Sequence, residues 1–186
     1  MMTEARQRVR ELVNNLIAAH KEKFRLRFDE ELNENPTIPC SAEQVSQLSR
    51  ALGQPLPPTY QAFMELRDGW DDFQGDFQFL SVEDRDDPMV KARIEEMSGY
   101  FDEQELDNPF KTWGFVVALG ETSGRLAFLD KRVVSSNGEL ELATFEYTRQ
   151  EDRFPSFAEF LADELRIDRE LIKDERDGSA SDGNAA

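Results

Sequence analysis

The chain has 186 residues, 39% of them hydrophobic and 10% aromatic, and carries a formal net charge of −17. That is enough apolar material for one domain with extensions. The charge is too negative for a nucleic-acid backbone or an anionic lipid surface, both of which are met with clustered Lys and Arg. A single cysteine, Cys40, makes an internal disulfide impossible, and a single histidine, His20, leaves no Cys/His set for zinc.

The opening stretch, MMTEARQRVRELVNNL, is charged and lacks the apolar centre of a signal peptide. No apolar run reaches the roughly 20 residues of a membrane span, and a cytoplasmic location is expected. Val9, Leu12, Val13, Leu16, Ile17 and Phe24 fall on one stripe, which predicts a helix over 4–28. His20 shares that stripe and reads as a partly buried packing residue. Residues 29–39, with Pro36 and Pro39, read as a polar linker.

Ser41 and Gln44 form a capping box ahead of Val45, Leu48 and Leu52, and Gly53 supplies a left-handed stop. Pro57 and Pro58 open a second short helix carrying Tyr60, Phe63 and Leu66, with Gly69 as its expected stop. The period then changes. Phe77 and Phe79 alternate with polar residues and predict a strand over 76–80. Val90, Ile94 and Met97 place a surface helix within 83–99, and 102–112 reads as a loop. WGFVVAL (113–119) and RLAFLD (125–130) read as paired strands. Asn137-Gly138 is a hairpin turn joining RVV (132–134) to 139–147. Ser156 and Glu159 then cap a helix carrying Phe157, Phe160, Leu161 and Leu165. The expectation is an α+β fold: an antiparallel sheet of about four to six strands with helices packed on it, plus an N-terminal helix. The expected divisions are 1–40 (helix and linker), 41–173 (α+β domain) and 174–186 (a disordered acidic tail).

No catalytic set emerges. His20 is the only candidate base for a Ser or Cys nucleophile, and it sits in ordinary packing spacing. GETSG (120–124) puts its serine one place late for a nucleophile elbow. Neither G-x-x-x-x-G-K nor a strand-borne G-x-G-x-x-G is present. DGWDDFQGDFQF places Trp70 where a calcium loop needs a ligand. No catalytic residue, metal ligand or cofactor is assigned. What stands out is Trp70 beside an acidic run comprising Asp71, Asp72, Asp76, Asp84, Asp86 and Asp87. Trp70 reads either as core or as an aromatic anchor. The acids read either as a solvated surface or as a rim that steers a basic partner. These seven residues are the candidate partner-binding set.

The pattern Leu52-Gly53, Leu56-Pro57, Tyr60, Phe63 and Gly69 resembles the signature of the SUKH superfamily. GFVVALGETSGRLAFLD (114–130) is similar to its central strand pair, and SFAEFLADEL (156–165) to its closing helix. The resemblance covers roughly 41–166; Asp68 stands where members often carry Asn, and 4–28 and 83–112 look like additions. It implies a non-enzymatic fold, shared by a fungal cell-wall-assembly regulator and by bacterial immunity proteins that bind and neutralise toxins. On that footing the expected partner is a protein, most readily a basic toxin domain, bound by a monomer or weak homodimer. A regulatory or scaffold module of the same fold, with no toxin involved, is the alternative.

Overall fold

A computed structural model describes residues 3–32 and 38–182. The chain divides into two compact units, one of residues 37–157 and one of residues 1–36 together with 158–186.

The 37–157 unit is built on a six-stranded antiparallel meander. Helices α2 (Ala42–Leu52) and α3 (Pro58–Met64) come first. Strands β1 (Trp70–Gln74) and β2 (Phe77–Phe79) follow, then a 3-10 turn (Asp84–Asp86) and helix α4 (Pro88–Glu103). Strands β3 (Gly114–Gly120), β4 (Arg125–Val134), β5 (Leu140–Glu146) and β6 (Arg149–Phe154) complete the sheet, in the order β1-β2-β3-β4-β5-β6. α2 has the expected capping box, with Ser41 and Gln44 each accepting from the other's amide, and ends on Gly53 at φ 81°. α3 takes its N-terminal partner from far away. The Asn137-Gly138 turn delivers Glu139, whose carboxylate accepts from the Thr59 amide at 3.0 Å and the Thr59 hydroxyl at 2.8 Å. The sheet is covered on both faces. One cluster joins Met97 and Phe101 of α4 to Trp113, Leu119, Phe128 and Phe145. A second is aromatic: Phe63 lies 5.1 Å from Phe79 and 5.0 Å from Phe157, and Phe79 lies 4.6 Å from Phe73. Such ring pairs add to the burial of the large side chains themselves.

Four local expectations change. α3 stops at Met64, and Gly69 immediately precedes β1 instead of ending the helix. Its φ is +79°, and a Cβ there would lie 2.7 Å from the Ser81 nitrogen and 2.8 Å from the Phe79 oxygen. Residues 70–74, for which the sequence pattern predicts no element, form a strand. 125–130 and 132–134 are one strand, with an irregular register beyond Leu129. Finally, 149–154 is an edge strand whose five leading residues are all exposed, so it shows no apolar alternation.

The other unit is a pair of long helices, α1 (Glu4–Phe28) and α5 (Phe157–Asp182), running parallel. α5 continues into the tail whose composition suggested disorder; residues 183–186 and linker residues 33–37, Pro36 among them, lie outside the described residues. Sequence charge matches the pairing, since α1 has seven Lys/Arg against three acids and α5 nine acids against four Lys/Arg. Ion pairs run along the seam: Arg8 with Glu159, Lys23 with Asp168, Arg27 with Glu175 and Glu22 with Arg176. Asp168 is fully buried, and His20, itself 6% exposed, meets it at 3.0 Å. His20 is therefore buried, as its stripe suggests, but against a carboxylate. No helix among the described residues is long and apolar enough to cross a membrane.

Candidate partner-binding surface

Trp70 begins β1, pairs with Phe79 and is 3% exposed. Its ring packs edge-on against Phe73 at 5.0 Å, and the Arg67 guanidinium lies 3.6 Å from its centre. Of its two readings the structure gives it the core role, so Trp70 is not an exposed anchor.

Asp71 and Asp72 follow on the exposed part of the edge strand. The register slips here, with Trp70 opposite Phe79 but Gln74 opposite Phe77, and Asp72 takes a left-handed φ of 51°. Aspartate tolerates that conformation better than most residues. The bulge spoils the edge for pairing with another strand. Asp84 comes from the 3-10 turn, which a reciprocal cap holds in place. The Ser81 amide donates to Asp84 Oδ2 at 2.7 Å, and the Asp84 amide donates to Ser81 Oγ at 3.1 Å. Burial, then the nearby Asp84 and Asp72 carboxylates, push the Asp71 carboxyl above its ordinary value, with Arg67 acting the other way. Asp71 therefore feels two like charges, one from Asp72 beside it and one from Asp84 in the turn.

The cations nearest to them in sequence are turned inward. Arg67 is 5% exposed and donates to the Gly69 carbonyl at 3.3 Å. Arg85 donates to the Val116 carbonyl at 2.9 Å and the Tyr60 hydroxyl at 3.2 Å, and stacks 4.4 Å from the Phe115 ring centre. The remaining three acids do different things. Asp86 is exposed and pairs with Lys91 at 2.8 Å. Asp87 caps α4, accepting from the Met89 amide at 2.7 Å and the Val90 amide at 3.3 Å. Asp76 sits at the far end of the β1–β2 hairpin. It accepts from the amides of Thr122 and Ser123 at 2.9 and 2.6 Å and from their hydroxyls at 2.8 and 2.9 Å. Desolvation opposes its ionised form, but these four bonds hold the carboxyl well below the usual range.

A second polar cluster surrounds Asp130, the last residue of the 114–130 stretch that resembles the family's strand pair. Asp130 is fully buried, and its carboxylate accepts from Arg132 at 2.9 and 3.0 Å and from Arg153 at 3.0 Å. Arg132 lies 4.5 Å over the Trp113 ring. Burial works against the Asp130 charge, and hydrogen bonds from the Arg132 guanidinium and amide and from Arg153 more than offset it, leaving its carboxyl below the usual range. The cluster ties β4 to β6 across the sheet and is fully occupied by its own partners. Among the described residues, no group of three or more His, Cys, Asp and Glu side chains is placed to hold a metal ion.

Residues 39–163 match the family model described as SMI1/KNR4 family (SUKH-1). No curated protein matches the chain. The match spans both the acidic edge and the Asp130 cluster, and excludes α1 and most of α5.

Proposed function

The chain belongs to the SMI1/KNR4 family (SUKH-1), which fits a protein-interaction domain, and from that premise we propose that it is a cytoplasmic, non-enzymatic immunity protein that neutralises a basic toxin. It acts by stoichiometric occlusion, without turnover, cofactor or nucleic acid. The unit of residues 37–157 carries 23 Asp/Glu against 11 Lys/Arg, a net charge of −12. The observation that carries the reading is the inward turn of Arg67 and Arg85, which leaves Asp71, Asp72 and Asp84 together at the surface. Charge-lined surfaces of this kind raise the encounter rate with an oppositely charged partner and depend on ionic strength. Like charges kept together at a cost to stability are characteristic of surfaces used for binding. Asp86 extends the same rim, Asp87 and Asp76 hold its frame, and Trp70 supports it from beneath.

The test is a pull-down from the source organism with tagged protein, beside an Asp71→Lys, Asp72→Asn variant. Both residues are exposed, so the variant keeps its core. The proposal expects one basic toxin-like protein that is lost with the variant. Its association rate with wild type should fall on the order of tenfold between low and high salt. Equal capture by both proteins, or a salt-independent rate, refutes the acidic edge as the interface. Capture of a partner without toxic activity moves the chain to the regulatory reading.

A further inference from the structure

Parallel α1 and α5 leave a groove of about 440 Å³ along one side of their pair. Its residues recur at helical spacing on both walls. Glu22 and Arg176, 154 residues apart, close one end with an ion pair. Carrying that offset back along both helices sets Ala18 and Ala19 opposite Ile172 and Lys173, and Asn15 opposite Arg169. The two alanines are what open the groove, since larger side chains would fill it. Ala19 and Ile172, each 6% exposed, make an apolar floor.

On the wall above that floor stand Arg169 and Lys173, one helical turn apart. In a chain of net charge −17, cations find partners easily, yet neither of these has an ion pair or hydrogen bond among the described residues. Three acids of α5 near them are already engaged. Glu170 is held by Arg166 at 2.9 Å, Asp168 by His20 and Lys23, and Glu175 by Arg27. Asp177 lines the outer end of the groove but forms no ion pair with Lys173. A planar guanidinium fork beside an ammonium, one turn apart, matches two acid oxygens or groups on one molecule. Volumes of roughly 300–1,000 Å³ are those of small-molecule sites.

We propose that this groove binds a small organic anion, a phosphomonoester or a dicarboxylate. Arg169 and Lys173 take its acid groups, the Asn15 amide donates beside them, and its apolar body rests on Ala19 and Ile172. All of these residues lie outside the segment that matches the family, so the site belongs to this chain's own extensions and stands apart from the toxin reading. The test is amide chemical-shift titration of the full chain with phenyl phosphate, benzylsuccinate and inorganic phosphate. Phenyl phosphate or benzylsuccinate should move the amides around Ala18, Ala19, Arg169 and Lys173 saturably, and which of the two binds tighter tells phosphate from dicarboxylate. An Arg169→Ala, Lys173→Ala variant, altered only at exposed positions, should weaken binding by on the order of tenfold or more. The proposal is overturned if neither organic probe gives saturable shifts, or if the shifts survive in the variant. It is also overturned if inorganic phosphate binds as tightly as phenyl phosphate, because the apolar floor then contributes nothing.

Discussion

Asp76 separates a structural acid from a binding acid. Replacing it with alanine strands four donors, the amides and hydroxyls of Thr122 and Ser123. A hydrogen bond to a charged acceptor contributes about 1.5–3 kcal/mol, but the four share one half-buried carboxylate that water screens, so a total loss of about 2–3 kcal/mol is expected. For a chain of this size that lowers Tm by about 4–10 °C. The pH dependence fixes the sign. The folded carboxyl is depressed, and the unfolded one has its ordinary value near ~3.9. The stabilisation is therefore complete above the unfolded value and is lost as pH falls through the acid range. Urea unfolding of wild type and Asp76→Ala at pH 7 and at pH 2.5 should show a wide gap that narrows on acidification. A variant as stable as wild type at pH 7, or a gap that stays constant with pH, refutes the assignment. In that case Asp76 returns to the binding set.

Gly69→Ala should cost about 3 kcal/mol or more in urea unfolding, because it combines a left-handed φ with a backbone overlap that cannot relax cheaply. Glu139→Ala should lower stability by about 2 kcal/mol, with Glu139→Gln in between, since the Thr59 amide and hydroxyl lose a buried carboxylate. Asp71→Asn should behave in the opposite way. The folded carboxyl is raised, so its ionisation costs stability as pH rises. The variant should match wild type near pH 3 and exceed it by a few tenths of a kcal/mol at pH 7. Its association with a basic partner, followed by surface plasmon resonance at low salt, should at the same time be slower.

Much of this architecture is legible from short-range signals. The Ser41 box, Gly53, the Asn137-Gly138 turn and the apolar strands around 114–130 each encode their geometry within a few residues. The elements that escape notice lack an apolar pattern of their own. β6 is an exposed edge of charged residues, and β1 hides its two buried rings, Trp70 and Phe73, among acids and glutamine. Which acids converge is set by the cap between Ser81 and Asp84 and by a one-strand register slip, and neither shows as periodicity. Asp76 and Asp71 are alike in sequence surroundings. Only the return of the chain at Thr122 and Ser123 makes one a clasp and leaves the other facing solvent. The α5 extension is likewise not predicted by its own composition, because its partners, Glu22 and Arg27, lie at the other end of the chain.

That last arrangement sets an order of events during synthesis. The ion pairs between α1 and α5 join residues 145 to 154 positions apart. α1 leaves the ribosome first, yet its partner follows on the order of ten seconds later at ordinary elongation rates. The meander needs only neighbouring strands and can assemble as it emerges. α1, with Phe24 and Phe28 on its surface, must wait as an unpaired amphipathic helix, open to chaperones and to premature association, until α5 is made.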